Sequence, residues 1–262
     1  MEQIRYLTEE EKGRTRRLYE QSFSDSKKFV DYYYAVKIKD NKVLVLEKDG
    51  NIVSMAHRST RMVSYKGEKR KAIYIYAVAT DPLHRKKGYM KKILWKLLED
   101  AKKEGFAFAT LITENEVYYK KLGFCSYGKI SEPTLYQRKN DGIIRKKACL
   151  NDYSVMAEKA LEWLKDKRLY RIRDVAFYKE YQAQLEAEDG YLELLYQGHA
   201  FIGMEAFYYE EDGTLMEDGG IYKKGWEILD QRKKEKSQLM ICLLNEKVFD
   251  ISKESIFLNE LV

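Results

Sequence analysis

The spacing of apolar residues changes several times along the chain, and each change marks a different element. Thr8 to Phe23 has helical spacing, with Thr8 as N-cap, Glu11 as its capping-box partner, and Leu18, Tyr19 and Phe23 facing inward. Ser24-Asp25-Ser26 caps a second helical stretch, in which Phe29, Val30, Tyr33 and Tyr34 recur at helical intervals. Val43 to Glu47 is a short apolar strand closed by the turn Asp49-Gly50-Asn51. Ile52 to Val63 and Ala72 to Thr80 follow as strands, separated by a polar turn at Lys66-Gly67. The first third reads as two helices and then an antiparallel meander.

After Asp81-Pro82 the period becomes helical. Ile93, Leu94, Leu97, Leu98 and Ala101 share one stripe, lysines fill the other faces, and Gly105 stops the helix. Phe106 to Ile112 is a buried strand, and Val117 to Leu122 a short helix ending at Gly123. The order strand, long helix, strand, short helix implies one parallel crossover on an otherwise antiparallel sheet. A second part begins near Ile143 to Lys147, with a helix at Tyr153 to Lys165 and strands at Tyr191 to Leu195 and Phe201 to Tyr209. Asp212-Gly213 is a hairpin turn, Lys223 to Ser237 is charged and either loop-like or helical, and the chain closes on the apolar ISKESIFLNELV.

Composition narrows the function classes. With 45% hydrophobic and 34% charged residues the chain is globular. Its 22 tyrosines suit half-buried sheet faces. The net charge of +6, from 48 basic and 42 acidic residues, suits an anionic ligand but is too diffuse for nucleic acid, and Arg232-Lys233-Lys234 reads as a solvated helix face. The three cysteines and three histidines have no metal-ligand spacing, so no metal and no disulfide framework are expected. No apolar run approaches the ~20 residues of a membrane helix and no signal core opens the chain, so a cytoplasmic location is expected.

The turn Arg85-Lys86-Lys87-Gly88-Tyr89-Met90 carries the clearest chemistry. A helix N-terminus offers unpaired N–H groups and partial positive charge, so three cations there oppose a helix standing alone. A docked anion reverses that penalty, and Gly88 lets a phosphate approach the backbone. The local pattern fits a phosphate cradle and a basic loop capping a surface helix equally.

The string YIYAVATDPLHRKKGYMKKILWKLL followed by TLITENEVYYKKLGF resembles the GCN5-related N-acetyltransferase (GNAT) family over essentially residues 1 to 130. Arg85 to Met90 matches that family's R/Q-x-x-G-x-G/A turn, with Met90 in place of the last small residue, and Tyr119 to Phe124 matches its Tyr-x-Lys-x-Gly-Phe segment. The resemblance implies an α/β fold of the α+β kind, with a mixed, mostly antiparallel sheet and flanking helices. It divides the chain into an acetyl-CoA-binding catalytic domain at 1–145 and a smaller α+β domain at 146–262. The latter resembles a degenerate second transferase-like unit with an apolar tail. FLNELV and the atypical turn resemble the enhanced-intracellular-survival (Eis) branch in shortened form.

Site roles follow from the resemblance. The strand at Tyr76, Ala77, Val78 and Ala79 splays from its neighbour and hydrogen-bonds the pantetheine arm. Arg85, Lys86, Lys87, Gly88, Tyr89 and Met90 hold the pyrophosphate. Tyr119 is the acid that protonates the leaving thiolate, and Tyr118, about 100° away on a helix, faces elsewhere. Glu114 and Asn115 lie just past the strand end, where Glu114 acts through water or is solvated surface. In the Eis branch the terminal carboxylate is the base, which Val262 would supply here. The expected reaction is direct transfer of acetyl from acetyl-CoA to an amine (a polyamine, an aminoglycoside-like amine or a lysine), with a homo-oligomer as an open partner. The competing reading is a non-catalytic acyl-CoA-binding or protein-interaction module.

Overall fold

The computed structural model describes residues 2–137, 141–230, 235–245 and 256–258; the basic run Arg232-Lys233-Lys234 and the expected base Val262 lie outside them. The first strand, β1 (Glu2–Tyr6), has no counterpart in the hydrophobic pattern because none of its residues is fully buried: Glu2 and Gln3 are exposed and Ile4, Arg5 and Tyr6 half-buried. The first expected helix divides into a 3-10 segment, Glu9–Thr15, and a short α1 (Arg16–Glu20), with the Thr8–Glu11 capping box in place. Lys12 of that segment is buried and donates to Glu9 and to the carbonyls of Ile38 and Lys39. Helix α2 (Lys27–Ala35) is capped by Ser26, whose Oγ accepts from the Phe29 N–H at 3.0 Å.

Strands β2 (Lys42–Lys48), β3 (Asn51–Tyr65) and β4 (Glu68–Thr80) form the expected meander, turning at Asp49-Gly50 and Lys66-Gly67. Helix α3 (Tyr89–Lys103) buries Ile93, Leu94, Leu97, Leu98 and Ala101, the stripe read from the sequence. Strand β5 (Phe108–Thr113) returns parallel to β4, and α4 (Val117–Lys120) leads into β6 (Cys125–Ser131). Both faces of this sheet are covered. Leu44, Ala56, Ile73 and Ile75 pack on α3, whereas Val43, Val45, Met55 and Tyr74 pack on α1 and α2. That two-sided burial is why β2 reads as a continuous apolar run rather than an alternation. Each large side chain so covered contributes roughly 1.5–3 kcal/mol.

The remaining strands and helices are β7 (Thr134–Leu135), β8 (Ile144–Lys147), α5 (Tyr153–Leu164), β9 (Leu169–Arg171), α6 (Val175–Glu186), β10 (Tyr191–Gln197), β11 (Ala200–Tyr209), β12 (Leu215–Tyr222), β13 (Glu235–Leu243) and β14 (Ile256–Phe257). Among the described residues, one sheet runs β7-β12-β11-β10-β8 and carries α5 and α6 on one face. Helix α6 escaped the sequence reading because its inward residues, Phe177, Tyr178, Gln182 and Leu185, are diluted by polar neighbours.

The first sheet draws on both sides of the sequence division at 145. Strand β13 inserts between β5 and β6, antiparallel to each, and β9 pairs with β3. The stretch Lys223 to Ser237, expected as loop or helix, thus ends inside a strand, and Leu239, Met240, Ile241 and Cys242 are buried there. A second parallel pair, β9 with β14, adds to the one expected crossover.

Candidate active site

Strands β4 and β5 pair only at Ala72–Phe108, Ile73–Ala109 and Tyr74–Thr110, then part. Past Tyr74, β4 has no paired strand on that side among the described residues, a parting that coincides with the splay expected at Tyr76 to Ala79. The register of β4 against β3 also slips: Met55 pairs with Ala79, but His57 pairs with Tyr76, so β4 carries one extra residue. Ala77 in this bulge has φ +49, a left-handed conformation that costs a residue with a Cβ roughly 1–2 kcal/mol. Strain of this kind is kept only where the surroundings over-determine it.

The splay opens into a cavity of about 1010 Å³. Tyr76, Ala77, Val78, Glu114 and Tyr119 line it, so five of the expected site residues meet on one wall. Tyr119 is 9% exposed, packs edge-on against Phe124, and its hydroxyl makes no hydrogen bond among the described residues. Burial pushes its phenol up to about 12, with Tyr74 adding to the rise, so it stays protonated through neutral pH. Tyr118 is exposed, as its helical offset requires.

Ala79, Asn115 and the turn residues are not in the cavity lining, and Glu114, which is, has a further partner. Ala79 is buried and its carbonyl accepts from Ser54 Oγ at 3.0 Å. Asn115 Oδ1 accepts from the Val117 N–H at 3.3 Å in the turn before α4 and does not line the cavity. Glu114 is ion-paired with Lys236 of β13 at 2.5 Å, with most of its side chain in solvent. Val262 lies outside the described residues.

Arg85, Lys86, Lys87 and Gly88 are exposed at the start of α3. Lys86 has φ +62 and Gly88 φ +77, and a Cβ at Gly88 would meet nothing within 4 Å, so the space over the turn is open. The first helical amide with an intrahelical acceptor is that of Lys92, on Gly88 O. The N–H groups of Tyr89 and Met90 therefore remain available to an anion. Their side chains turn inward: Tyr89 is buried and donates to Glu2, and Met90 packs on the core. Only backbone at these two positions can serve a ligand.

The opposite cavity wall was missed by the sequence reading. It comprises Tyr19 and Asp25 together with Glu188, Tyr208, Glu210, Glu211, Asp212 and Asp218 from the second half of the chain. Tyr19 donates to Asp25 at 2.7 Å, and Ser26 Oγ donates to Glu188 at 2.7 Å. Burial raises the Glu188 carboxyl. These acids lie in three separate stretches, and no local motif signals their convergence.

The site is thus a mixed α/β sheet that opens at a parallel junction, with helices on both faces and a protonated phenol on the open wall. Residues 3–127 match the family described as the acetyltransferase (GNAT) domain. The fold of nearly the whole chain is similar to a probable N-acyltransferase from Enterococcus faecalis V583, at 14% identity and TM-score 0.71, covering 93% of this chain and 73% of that one. A GCN5-related N-acetyltransferase from Kribbella flavida is similar at 15% identity and TM-score 0.67, covering 93% and 71%. Eis1 from Mycobacterium abscessus is similar at 10% identity and TM-score 0.64, covering 93% and 74%. A sequence search of curated proteins gives no match.

Among the described residues, no helix is long and apolar enough to cross a membrane, and no cluster of three His, Cys, Asp or Glu side chains could hold a metal.

Proposed function

We propose that this protein transfers the acetyl group of acetyl-CoA to a cationic amine by direct attack in a ternary complex. The observation that carries this reading is the parting of β4 and β5 beyond Tyr74, with Tyr119 on the wall of the resulting cavity. The site suits acetyl-CoA. The open β4 backbone can pair with the pantetheine amides as an added strand would. The exposed turn at Arg85 to Gly88, with the free amides of Tyr89 and Met90, suits the pyrophosphate. The Val78 N–H would polarise the thioester carbonyl.

As the amine attacks, the carbon–sulfur bond breaks and Tyr119 gives its proton to the departing thiolate. The ammonium proton must leave first. Two carboxylates are candidates: Val262, from the resemblance to the Eis branch, and Glu188, whose basicity burial raises within the cavity. The acidic wall favours an acceptor carrying more than one positive charge, which narrows the acceptor to polyamine-like or aminoglycoside-like amines.

Thiol release from acetyl-CoA, measured against a panel of mono- and polyamines, tests the reading. Turnover that favours polycations and collapses in Tyr119→Phe supports it. Tight acetyl-CoA binding without turnover of any amine would favour the non-catalytic module. Full activity in a variant extended by two residues beyond Val262 excludes the terminal carboxylate and leaves Glu188.

A further inference from the structure

The strained residue of the site is clamped on both sides by buried hydrogen bonds. On the C-terminal side, Ser54 Oγ donates to Ala79 O at 3.0 Å and lies 2.8 Å from Thr80 Oγ1. On the N-terminal side, Tyr76 belongs to a network sealed between β3, β4 and α2. Its hydroxyl is 2.5 Å from that of Tyr33, which is in turn 2.7 Å from His57 Nδ1. Asn41 Nδ2 donates to the hydroxyls of both tyrosines. Tyr33 and His57 are fully buried and their rings stack at 5.9 Å.

One direction of the chain satisfies the most groups. Asn41 Nδ2 can only donate, so the Tyr76 proton goes to Tyr33 and the Tyr33 proton to His57 Nδ1. His57 then carries its proton on Nε2, which has no partner among the described residues. Burial pushes this imidazole down to about 3, so it is a neutral acceptor and not a store for the substrate's proton. A buried polar network in which His57 Nε2 and Asn41 Oδ1 have no partner among the described residues sits beside a bulge whose Ala77 is left-handed. Such an arrangement is costly, and the fold alone does not require it, since an apolar core would fill the same space.

We propose that the Tyr33–His57–Tyr76–Asn41 network is a positioning device for the transfer reaction, holding the β4 bulge in the shape that aims the Val78 N–H at the thioester carbonyl. This rests on the transferase reading above. Tyr33 and His57 act through Tyr76 and touch no substrate.

The test combines steady-state kinetics with carbon chemical shifts of Ala77, which report its left-handed backbone, on the full chain. In Tyr33→Phe, kcat is expected to fall at least tenfold while KM for acetyl-CoA stays within twofold, because the lost interaction is made in the transition state. The Ala77 shifts are expected to leave the left-handed range, with Leu94 and Leu97 of α3 unchanged. His57→Gln, which keeps an acceptor, is expected to retain more of kcat than His57→Leu. Unchanged Ala77 shifts overturn the proposal, as does an equal disturbance across α3, which would mark a merely structural role. A wild-type protein inactive with every amine sinks the transferase reading instead, and the Ala77 shifts still decide whether the network holds the bulge.

Discussion

Ser26 Oγ donates to Glu188 Oε1 at 2.7 Å, joining residues 162 positions apart in sequence. Lys28 with Asp189 and Lys37 with Glu180 tie the same two parts of the chain. The acidic cavity wall thus joins the segment leading into α2 to the turn after α6 and to the β11–β12 hairpin.

Glu188→Gln is expected to lower kcat/KM for a cationic acceptor by about 10–100-fold, the range of a hydrogen bond to a charged group. KM for acetyl-CoA should not change. Kinetics with each substrate varied in turn would check both. As a control, Gly190→Ala should disturb the whole turn, since a Cβ there would lie 2.1 Å from Phe207 O. Such a clash costs typically 1–3 kcal/mol.

Loss of the Tyr119 hydroxyl should reduce kcat by about 10²–10⁴-fold, the usual contribution of a general acid. Because burial holds this phenol at about 12, wild type should show no loss attributable to its deprotonation below roughly pH 11. Acetyl-CoA affinity by calorimetry should be the same in Tyr119→Phe and wild type.

At the turn, Gly88→Ala meets open space but keeps φ +77, so stability should fall by about 1 kcal/mol. Lys86→Ala with Lys87→Ala should raise KM for acetyl-CoA several-fold at low salt. The difference should shrink above ~0.15 M, where exposed charges are screened beyond about 8 Å. An equal effect at all salt concentrations would argue against a charge contact to phosphate.

His57 gives a pH dependence of stability. Its ordinary value of 6.5 falls to about 3 in the folded chain, through burial and then the Lys12 charge. Between those values the unfolded chain binds a proton that the native chain refuses. Stability should therefore drop as pH falls through that window, by up to about 1.4 kcal/mol per pH unit. Tyr33, Tyr76 and Tyr19 around the ring stay neutral there and do not compensate, being pushed up by burial. Urea midpoints at pH 7, 6 and 5 should show the slope, and His57→Gln should flatten it.

Much of the first sheet was legible because its signals are local. Ser26 caps α2, Lys66-Gly67 turns β3 into β4, and the stripe from Ile93 to Ala101 faces the core, as residue spacing alone requires. Tyr119 was reached through a motif, and its partner Tyr118 was set aside by helical geometry.

What the chain's neighbours decide only in three dimensions was out of reach. Strand β13 finds its place between β5 and β6 because a buried strand needs partners on both edges, and no spacing rule names them. The acidic wall gathers carboxylates from distant loops, and the His57 network closes only when α2 packs on the sheet. The sequence by itself determined most elements of the first sheet and the basic turn before α3, since periodicity, caps and glycines act over a few residues. The tertiary structure decided the bulge at Ala77, the burial that keeps Tyr119 protonated, and the acidic wall of the cavity. Each of these depends on which residues lose contact with water once distant segments meet.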